Sequence, residues 1–466
     1  MLRELKRLMR ETAVYGLSTV VGRLLNFLLL PLYTHAMRPA EYGLVAIVFT
    51  YIAFLNVLYS HGMDFAFMRY YKEERDEGGR LVFSTAFWSL TLWPLLLSLA
   101  IHAGARPLAL AVGLPQQLSD IVRYSAWILA FDAMALVPFA HLRMRHRAGA
   151  YATIKVFNIV LNLALNYVFL VRFGLSVRGV FLASLVTSCA TLAALLPVVL
   201  DEILLRFDGG LYRSLLRFAV PVIPAGLAAM MVQVIDRPIL KALTDDATVG
   251  VYQANYRLGI FMMMVVSMFD QAWRPFFLQR ASLPDAPRLF ARVMSYFAVG
   301  GAFLFLAVAL FIPYVVALPL PGGRTLIHPA YWGGLALVPI VTLGYLFNGL
   351  YVNLLAPVTL AKCTDRVAYA TALGAAVNVG ANLLWIPRWG MLGAAWATLA
   401  AYATMAVSLY LMGRRLYPIP YERGRLALAA GAAAAVLGGM RALGLTMAAD
   451  RPLARLGLLA AFPLAL

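Results

Sequence analysis

Ionisable and amide side chains placed inside long apolar segments are the residues here whose chemistry calls for a reason. A charged group in hydrocarbon costs about 2.5–3.5 kcal/mol on insertion scales, so it normally faces a partner or a water-filled cavity. Tyr15, Thr19, Arg23 and Asn26 recur at helical spacing and form one polar stripe, with Arg23 near mid-membrane. Lys155 leads a second stripe through Asn158, Asn162 and Asn166. Gln233, Asp236 and Arg237 cluster further on, and Gln253 and Arg257 share one helical face. A guanidinium presents a planar fork of donors and an ammonium a compact charge. Arg23, Lys155, Arg257 and Arg237, with Asn26 and Gln233 as amide donors, can therefore build a cationic cavity for an anionic cargo.

Each of these residues also has a plainer role open to it. Lys155 can extend its ammonium to the inner interface, and Arg237 and Lys241 lie close enough to the outer edge to anchor there. The Asn residues can hold helices together by hydrogen bonds rather than bind cargo. Among the acids, Asp132 lies mid-span, where it can titrate or hold a cation during exchange, or pair silently with a cavity cation. Asp64 and Asp270 fall at the inner ends of two spans with Arg69 and Arg274 nearby, which suits gate salt bridges or helix-end contacts. The run Glu73, Glu74, Arg75, Asp76, Glu77 reads as a solvated turn. No HExxH, P-loop or GxSxG pattern occurs, so the chain reads as a transporter and not an enzyme. Cys189 and Cys363 have no zinc-ligand spacing, and neither a cofactor nor a metal is implied beyond coupling to a proton or sodium gradient.

The elements that position these groups are apolar spans. With 62% hydrophobic and 13% charged residues over 466, and a mean hydropathy of +0.80, the solvent must be lipid. A crossing needs about 20 apolar residues. Candidate spans lie near 12–35, 42–62, 82–103, 120–141, 151–171, 178–200, 217–240, 250–273, 290–313, 330–357, 367–386, 391–411, 426–443 and 453–466, the last being short. The count is thus 14, with 12 as the alternative. The first stretch reads as an uncleaved signal anchor. Most of the 39 Lys and Arg fall in alternate loops, as at Arg143, Arg145 and Arg147 or Arg414 and Arg415, which sets the N-terminus in the cytoplasm. The same bias accounts for the net charge of +18 without nucleic acid.

The chain also repeats itself. Pro31 and Gly43 match Pro238 and Gly250 at one spacing, and Asp64 matches Asp270 within a residue of it. Asn162, Asn166, Arg172 and Gly174 match Asn378, Asn382, Arg388 and Gly390 at another. Six spans per unit is an even number, so the two repeats run parallel, with a cargo site expected between them. The organisation expected is an N-lobe over 1–205, a C-lobe over 206–420 and additional helices over 421–466.

The runs YGLSTVVGRLLNFLLLPLYTHAMRPAEYG, RFAVPVIPAGLAAMMVQVIDRPIL (Arg217–Leu240), VGVYQANYRLG (Val249–Gly259), FDQAWRPFF (Phe269–Phe277) and NLLWIPRWGMLGAAWAT carry a family likeness. They resemble the Wzx-type polysaccharide flippases of the multidrug/oligosaccharidyl-lipid/polysaccharide exporter (MOP) superfamily, over about the first 410 residues. The resemblance implies an all-α membrane protein with two six-helix lobes in a V-shaped, MATE-like arrangement. It implies export of an undecaprenyl-pyrophosphate-linked oligosaccharide, as for O-antigen, across the bacterial cytoplasmic (inner) membrane by alternating access. Arg23, Lys155 and Arg257 match the cationic cavity of such proteins, and the polymerase and glycosyltransferases of the same pathway are the partners it suggests. Spans beyond twelve would resemble the extra helices of the lipid II flippase branch. A lipid II flippase and a cation-coupled multidrug exporter share this fold and are the competing readings. A membrane glycosyltransferase or polymerase would instead carry a large external loop.

Overall fold

The computed structural model describes residues 22, 24–25, 27–71, 77–445 and 451–464. Tyr15, Thr19, Arg23 and Asn26, and the Glu73–Asp76 part of the acidic turn, lie outside them. The chain divides into two compact units, Met1–Met230 and Met231–Leu466.

The first unit is built from α1 (Leu29–Ala36), α2 (Pro39–Ser60), α3 (Met63–Tyr70), α4 (Glu77–Ala103), α5 (Ala105–Ala111), α6 (Ser119–Met144), α7 (Ala148–Tyr167), α8 (Ser176–Glu202), α9 (Gly209–Ala219) and the first part of α10 (Val222–Val234). Pro39 opens α2 at a position where its missing N–H costs nothing, and Glu41 reaches back to the Arg38 amide at 2.8 Å. The helix stops where His61 and Gly62 both take positive φ, 33° and 69°, and the chain restarts as α3. α6 is the central post, packed on α2, α3, α4, α7 and α8. Met63, Phe67, Phe83, Leu90, Val137 and Val199 form a core that also takes in Leu215 and Ala219 of α9. α9 thus packs with the helices of the first unit.

The second unit continues with α11 (Asp236–Leu243), α12 (Asp246–Leu258), α13 (Ile260–Arg280), α14 (Ala286–Val316), α15 (Leu337–Asn353), α16 (Leu355–Leu360), α17 (Asp365–Trp389), α18 (Met391–Leu416), α19 (Arg423–Ala442) and α20 (Pro452–Leu464). α17 and α18 form its tightest pair, and Gly374 explains why: a side chain there would collide with Met405. α14 takes α15 on one side and the α19–α20 hairpin on another. Arg455 is fully buried in α20, donates to the Leu310 carbonyl of α14 and lies 5.1 Å from the Tyr314 ring centre.

Among the described residues ten helices are long and apolar enough to cross a membrane, and α9 with α10 makes an eleventh as a pair bent by 42°. Pro221 lies in that bend and has no N–H to continue the α9 ladder. The remaining expected spans have particular forms. The first begins outside the described residues, the eighth is broken at Gly259 into α12 and α13, and the last is the 13-residue α20. At 1.5 Å per residue, α20 reaches about 20 Å, short of a hydrocarbon core of about 30 Å.

The two units share a turn in detail. After α6, Arg145, His146 and Arg147 amides return to His141, Arg143 and Leu142 carbonyls, with His146 at φ 54°. After α16, Ala361, Lys362 and Cys363 amides return to Pro357, Thr359 and Val358, with Lys362 at φ 58°. The backbone repeats while the side chains do not.

Gly62 combines a positive φ with a close approach: a Cβ there would stand 2.9 Å from the Ala219 carbonyl oxygen. Gly62→Ala is expected to destabilise the first unit by about 1–3 kcal/mol. Thermal unfolding in detergent should show a lowered midpoint, and an unchanged midpoint would remove the constraint.

Candidate functional site

Each unit carries a polar group inside its apolar spans, and the two are closed in different ways. In the first, Lys155 of α7 projects toward α6. Its Nζ lies 4.2 Å from the centre of the Phe139 ring, and its charge faces Asp132. Asp132 also hydrogen-bonds with Ser188 of α8. Lys155 is half-buried and Asp132 exposed, so this pair is open on one side. The stripe below Lys155 is occupied by hydrogen bonds: across to α8, Asn158 donates to Thr191 at 2.7 Å and Asn162 to Thr187 at 3.5 Å, and within α7 Asn166 donates to the Asn162 carbonyl and side chain at 2.8 and 3.0 Å. Tyr33 of α1 completes it by donating to Asn166 at 2.9 Å. The second unit repeats the innermost pair, Asn382 donating to Asn378 at 2.8 and 3.0 Å. Leu240 stands there in the register of Tyr33, and the Asn382 Oδ1 has no hydrogen-bond partner among the described residues.

The second unit's charges are enclosed. α11 begins at Asp236, and Arg237 folds back so that its Nη1 meets the Asp236 carboxylate at 2.6 Å and also donates to the Gln233 carbonyl. Its Nε donates to Gln253 of α12 at 3.1 Å. The other Asp236 oxygen accepts from the Tyr252 hydroxyl. Tyr252 also hydrogen-bonds with Thr398 of α18, and the Tyr256 ring stacks 4.2 Å from the guanidinium. Tyr345 and Tyr402 extend the aromatic wall, with ring centres 5.9 Å from Tyr256 and 6.1 Å apart respectively. Asp236 and Arg237 are only 1% and 5% exposed, so the cation is neutralised in place. An ion pair so enclosed repays its desolvation only with further hydrogen bonds, and Tyr252, Gln253 and the Gln233 carbonyl supply them here.

The other expected residues are separated from these centres. Arg257, one helical turn beyond Gln253, is half-buried and engaged in an interaction of its own. Gln233 offers its carbonyl to Arg237 and keeps its side chain exposed. Asp64 sits in the first turn of α3, accepts from the Phe65 amide and faces Arg143, which places a negative charge at a helix N-terminus. Asp270 pairs with Arg274 one turn on, at 2.7 Å. Lys241 pairs with Asp246 at 2.9 Å, and Asp245 caps α12, its carboxyl held below the usual range by the Thr248 amide and hydroxyl. Among the described residues no cluster of His, Cys, Asp and Glu could hold a metal ion.

The profile of the family described as polysaccharide biosynthesis protein matches residues 8–280. The chain belongs to that family. Its fold is the MATE-like one of solved transporters. A lipid II flippase, MurJ, in an inward closed conformation aligns at a TM-score of 0.72 and 14% identity, over 96% of this chain and 97% of its own. An inward-facing multidrug resistance MATE family transporter of the MOP superfamily aligns at 0.64 and 14%, over 87% and 94%. A mutant of the Vibrio cholerae MATE transporter VcmN aligns at 0.60 and 14%, over 88% and 96%. No curated protein matches by sequence. Sequence reasoning placed Gln233, Asp236 and Arg237 together but missed the tyrosine enclosure. Its one signal was the spacing of Tyr252 and Tyr256 on a single helical face.

Removing one half of the enclosed pair leaves a buried charge alone. Asp236→Asn is expected to cost about 3–5 kcal/mol, and the double variant Asp236→Asn/Arg237→Gln clearly less. Denaturant unfolding of the wild type, Asp236→Asn, Arg237→Gln and the double variant checks this, and additive losses would disprove the coupling.

Proposed function

We propose that this chain is a flippase that carries an undecaprenyl-pyrophosphate-linked oligosaccharide from the inner to the outer leaflet of the bacterial cytoplasmic membrane by alternating access, with no chemical conversion. The observation that supports it is membership of the polysaccharide biosynthesis protein family. The N-terminus lies in the cytoplasm in this reading, as the loop charges favour.

The cations then divide by role. Arg23 and Arg257, with Asn26 and the exposed Gln233 side chain, hold the diphosphate through charge-assisted bonds. Arg237 is spent on Asp236 and instead fixes α12, which carries Arg257. Lys155 is the exchangeable cation. While Asp132 is ionised, Lys155 faces a carboxylate, and when Asp132 takes up a proton or sodium ion the ammonium is released to a phosphate oxygen. Coupling to an ion gradient follows from that exchange. Asp64 and the Asp270–Arg274 pair serve as gate contacts at helix ends. Glycosyltransferases and a polymerase supply and consume the cargo.

A second reading takes lipid II as the cargo. The observation in its favour is that the alignment with the lipid II flippase spans nearly all of both chains, a length that takes in most of the last two helices.

Vesicles containing the purified chain and a fluorescent lipid-linked oligosaccharide, lipid II or a cationic dye separate the readings. Oligosaccharide translocation is expected, with Arg257→Ala and Arg23→Ala slower by about tenfold or more and partly restored by Lys. Asp132→Asn should remove the response to an imposed proton or sodium gradient. Dye transport without lipid-linked cargo would overturn the proposal, and lipid II transport alone would select the second reading.

A further inference from the structure

Outside the centres described above, the first unit holds a cavity of about 360 Å³ lined by Arg80, His141, Arg145, Arg147, Val198, Asp201 and Glu202. Four segments far apart in sequence meet there: the start of α4, the last turn of α6, the turn into α7 and the end of α8. Its walls are tied. Trp88 donates to the Leu204 carbonyl at 3.1 Å, Ser84 accepts from the Leu204 amide at 2.7 Å, and Arg80 donates to the Asp201 carbonyl at 3.2 Å. The His141 ring is held edge-on between Tyr71 and Phe83, 5.4 and 5.3 Å away.

One acid of this pocket, Glu202, is engaged, Asp201 is exposed, and the cations are in excess. Glu202 is met by His141 Nε2 at 3.5 Å and by Arg145 at 3.7 Å. Three guanidinium groups stand against two carboxylates along the lining. Two buried nitrogens in this lining, Arg80 Nε and His141 Nδ1, have no hydrogen-bond partner among the described residues. Buried polar atoms are nearly always paired, so the Arg80 Nε–H calls for a ligand that supplies an acceptor, while His141 Nδ1, on a ring whose Nε2 faces Glu202, is left as an acceptor.

The fold does not require these charges. The identical turn after α16 carries Pro357, Ala361 and Cys363 where this one carries His141, Arg145 and Arg147. The end of α18 likewise has Tyr417 and Pro418 in the register of Asp201 and Glu202. The pocket is therefore an addition to one unit of a repeated backbone.

We propose that this pocket binds a phosphate-bearing group, held by the guanidinium groups of Arg80 and Arg147. A phosphate presents several acceptor oxygens at once, and arginine forks match that geometry. The volume leaves room for the remainder of a headgroup or a second phosphate. The pocket lies at the end of the spans that loop charge assigns to the cytoplasm, within reach of both a dissolved diphosphate and a phospholipid head. The inference stands independently of which cargo crosses the membrane.

The test uses the full chain in phosphate-free non-ionic detergent. Calorimetric titration with inorganic phosphate and pyrophosphate covers the dissolved source. Native mass spectrometry after reconstitution in mixed phosphatidylglycerol and phosphatidylcholine covers the lipid source. Saturable binding of either is expected, weakened about tenfold or more by Arg147→Ala and by Arg80→Gln. Arg366→Ala, an exposed cation beside the corresponding turn of the second unit, should leave it unchanged. Because Arg147 is exposed, its variant should keep its fold, which the elution profile and thermal midpoint verify. Pyrophosphate binding identifies a dissolved ligand, and selective retention of the anionic lipid a membrane one. Absence of both, or equal binding by the folded variants and wild type, would overturn the site.

Discussion

A charge carried into hydrocarbon must bring its counter-charge with it, and this constraint organises the second unit. Asp236 and Arg237 neutralise each other, but neutrality alone would leave oxygens and N–H groups unsatisfied. Tyr252, Gln253 and the Gln233 carbonyl take up those valences, and Tyr256 covers the guanidinium face. Because these partners come from α10, α11 and α12, satisfying one ion pair fixes the mutual placement of three short helices. Tyr252 extends the same network to Thr398 on α18.

The first unit meets the constraint in an open form. Lys155 and Asp132 face each other from adjacent helices, with Phe139 against the ammonium and Ser188 against the carboxylate. Neither is sealed, since Asp132 is exposed and Lys155 half-buried. An enclosed pair cannot exchange partners without exposing a bare charge, whereas an open pair can trade its counter-ion for a ligand's. This difference in enclosure gives Lys155 and Asp132 a transport role in the proposed cycle and leaves Arg237 a structural one.

A repeated backbone with unequal side chains is the second theme. The Asn162–Asn166 and Asn378–Asn382 pairs have the same hydrogen bonds, and the turns at His146 and Lys362 have the same backbone pattern. Around this common frame one unit acquires Tyr33 on its amide pair, an open charge pair and a basic pocket. The other acquires a tyrosine enclosure and two further helices docked on α14. Duplication supplies the scaffold, and chemistry enters where the copies differ.

What could be read without coordinates was whatever depends on local periodicity. Apolar run length set the spans, loop charge suggested their direction, and the repeated Asn spacing marked both copies of the hydrogen-bonded Asn pair. Arg237 shows where such reading stops: neighbours on a helix normally point about 100° apart, so adjacent Asp and Arg are not a predicted pair. They meet because the helix begins at Asp236 and the long Arg side chain turns back along its own N-terminus. The cavity between Arg80, His141, Arg147 and Glu202 depends on segments far apart in the chain, brought together only by packing around α6. Hydrophobic pattern is written along the chain, but whether a buried charge is enclosed, open or left seeking a ligand is decided by which distant side chains arrive beside it.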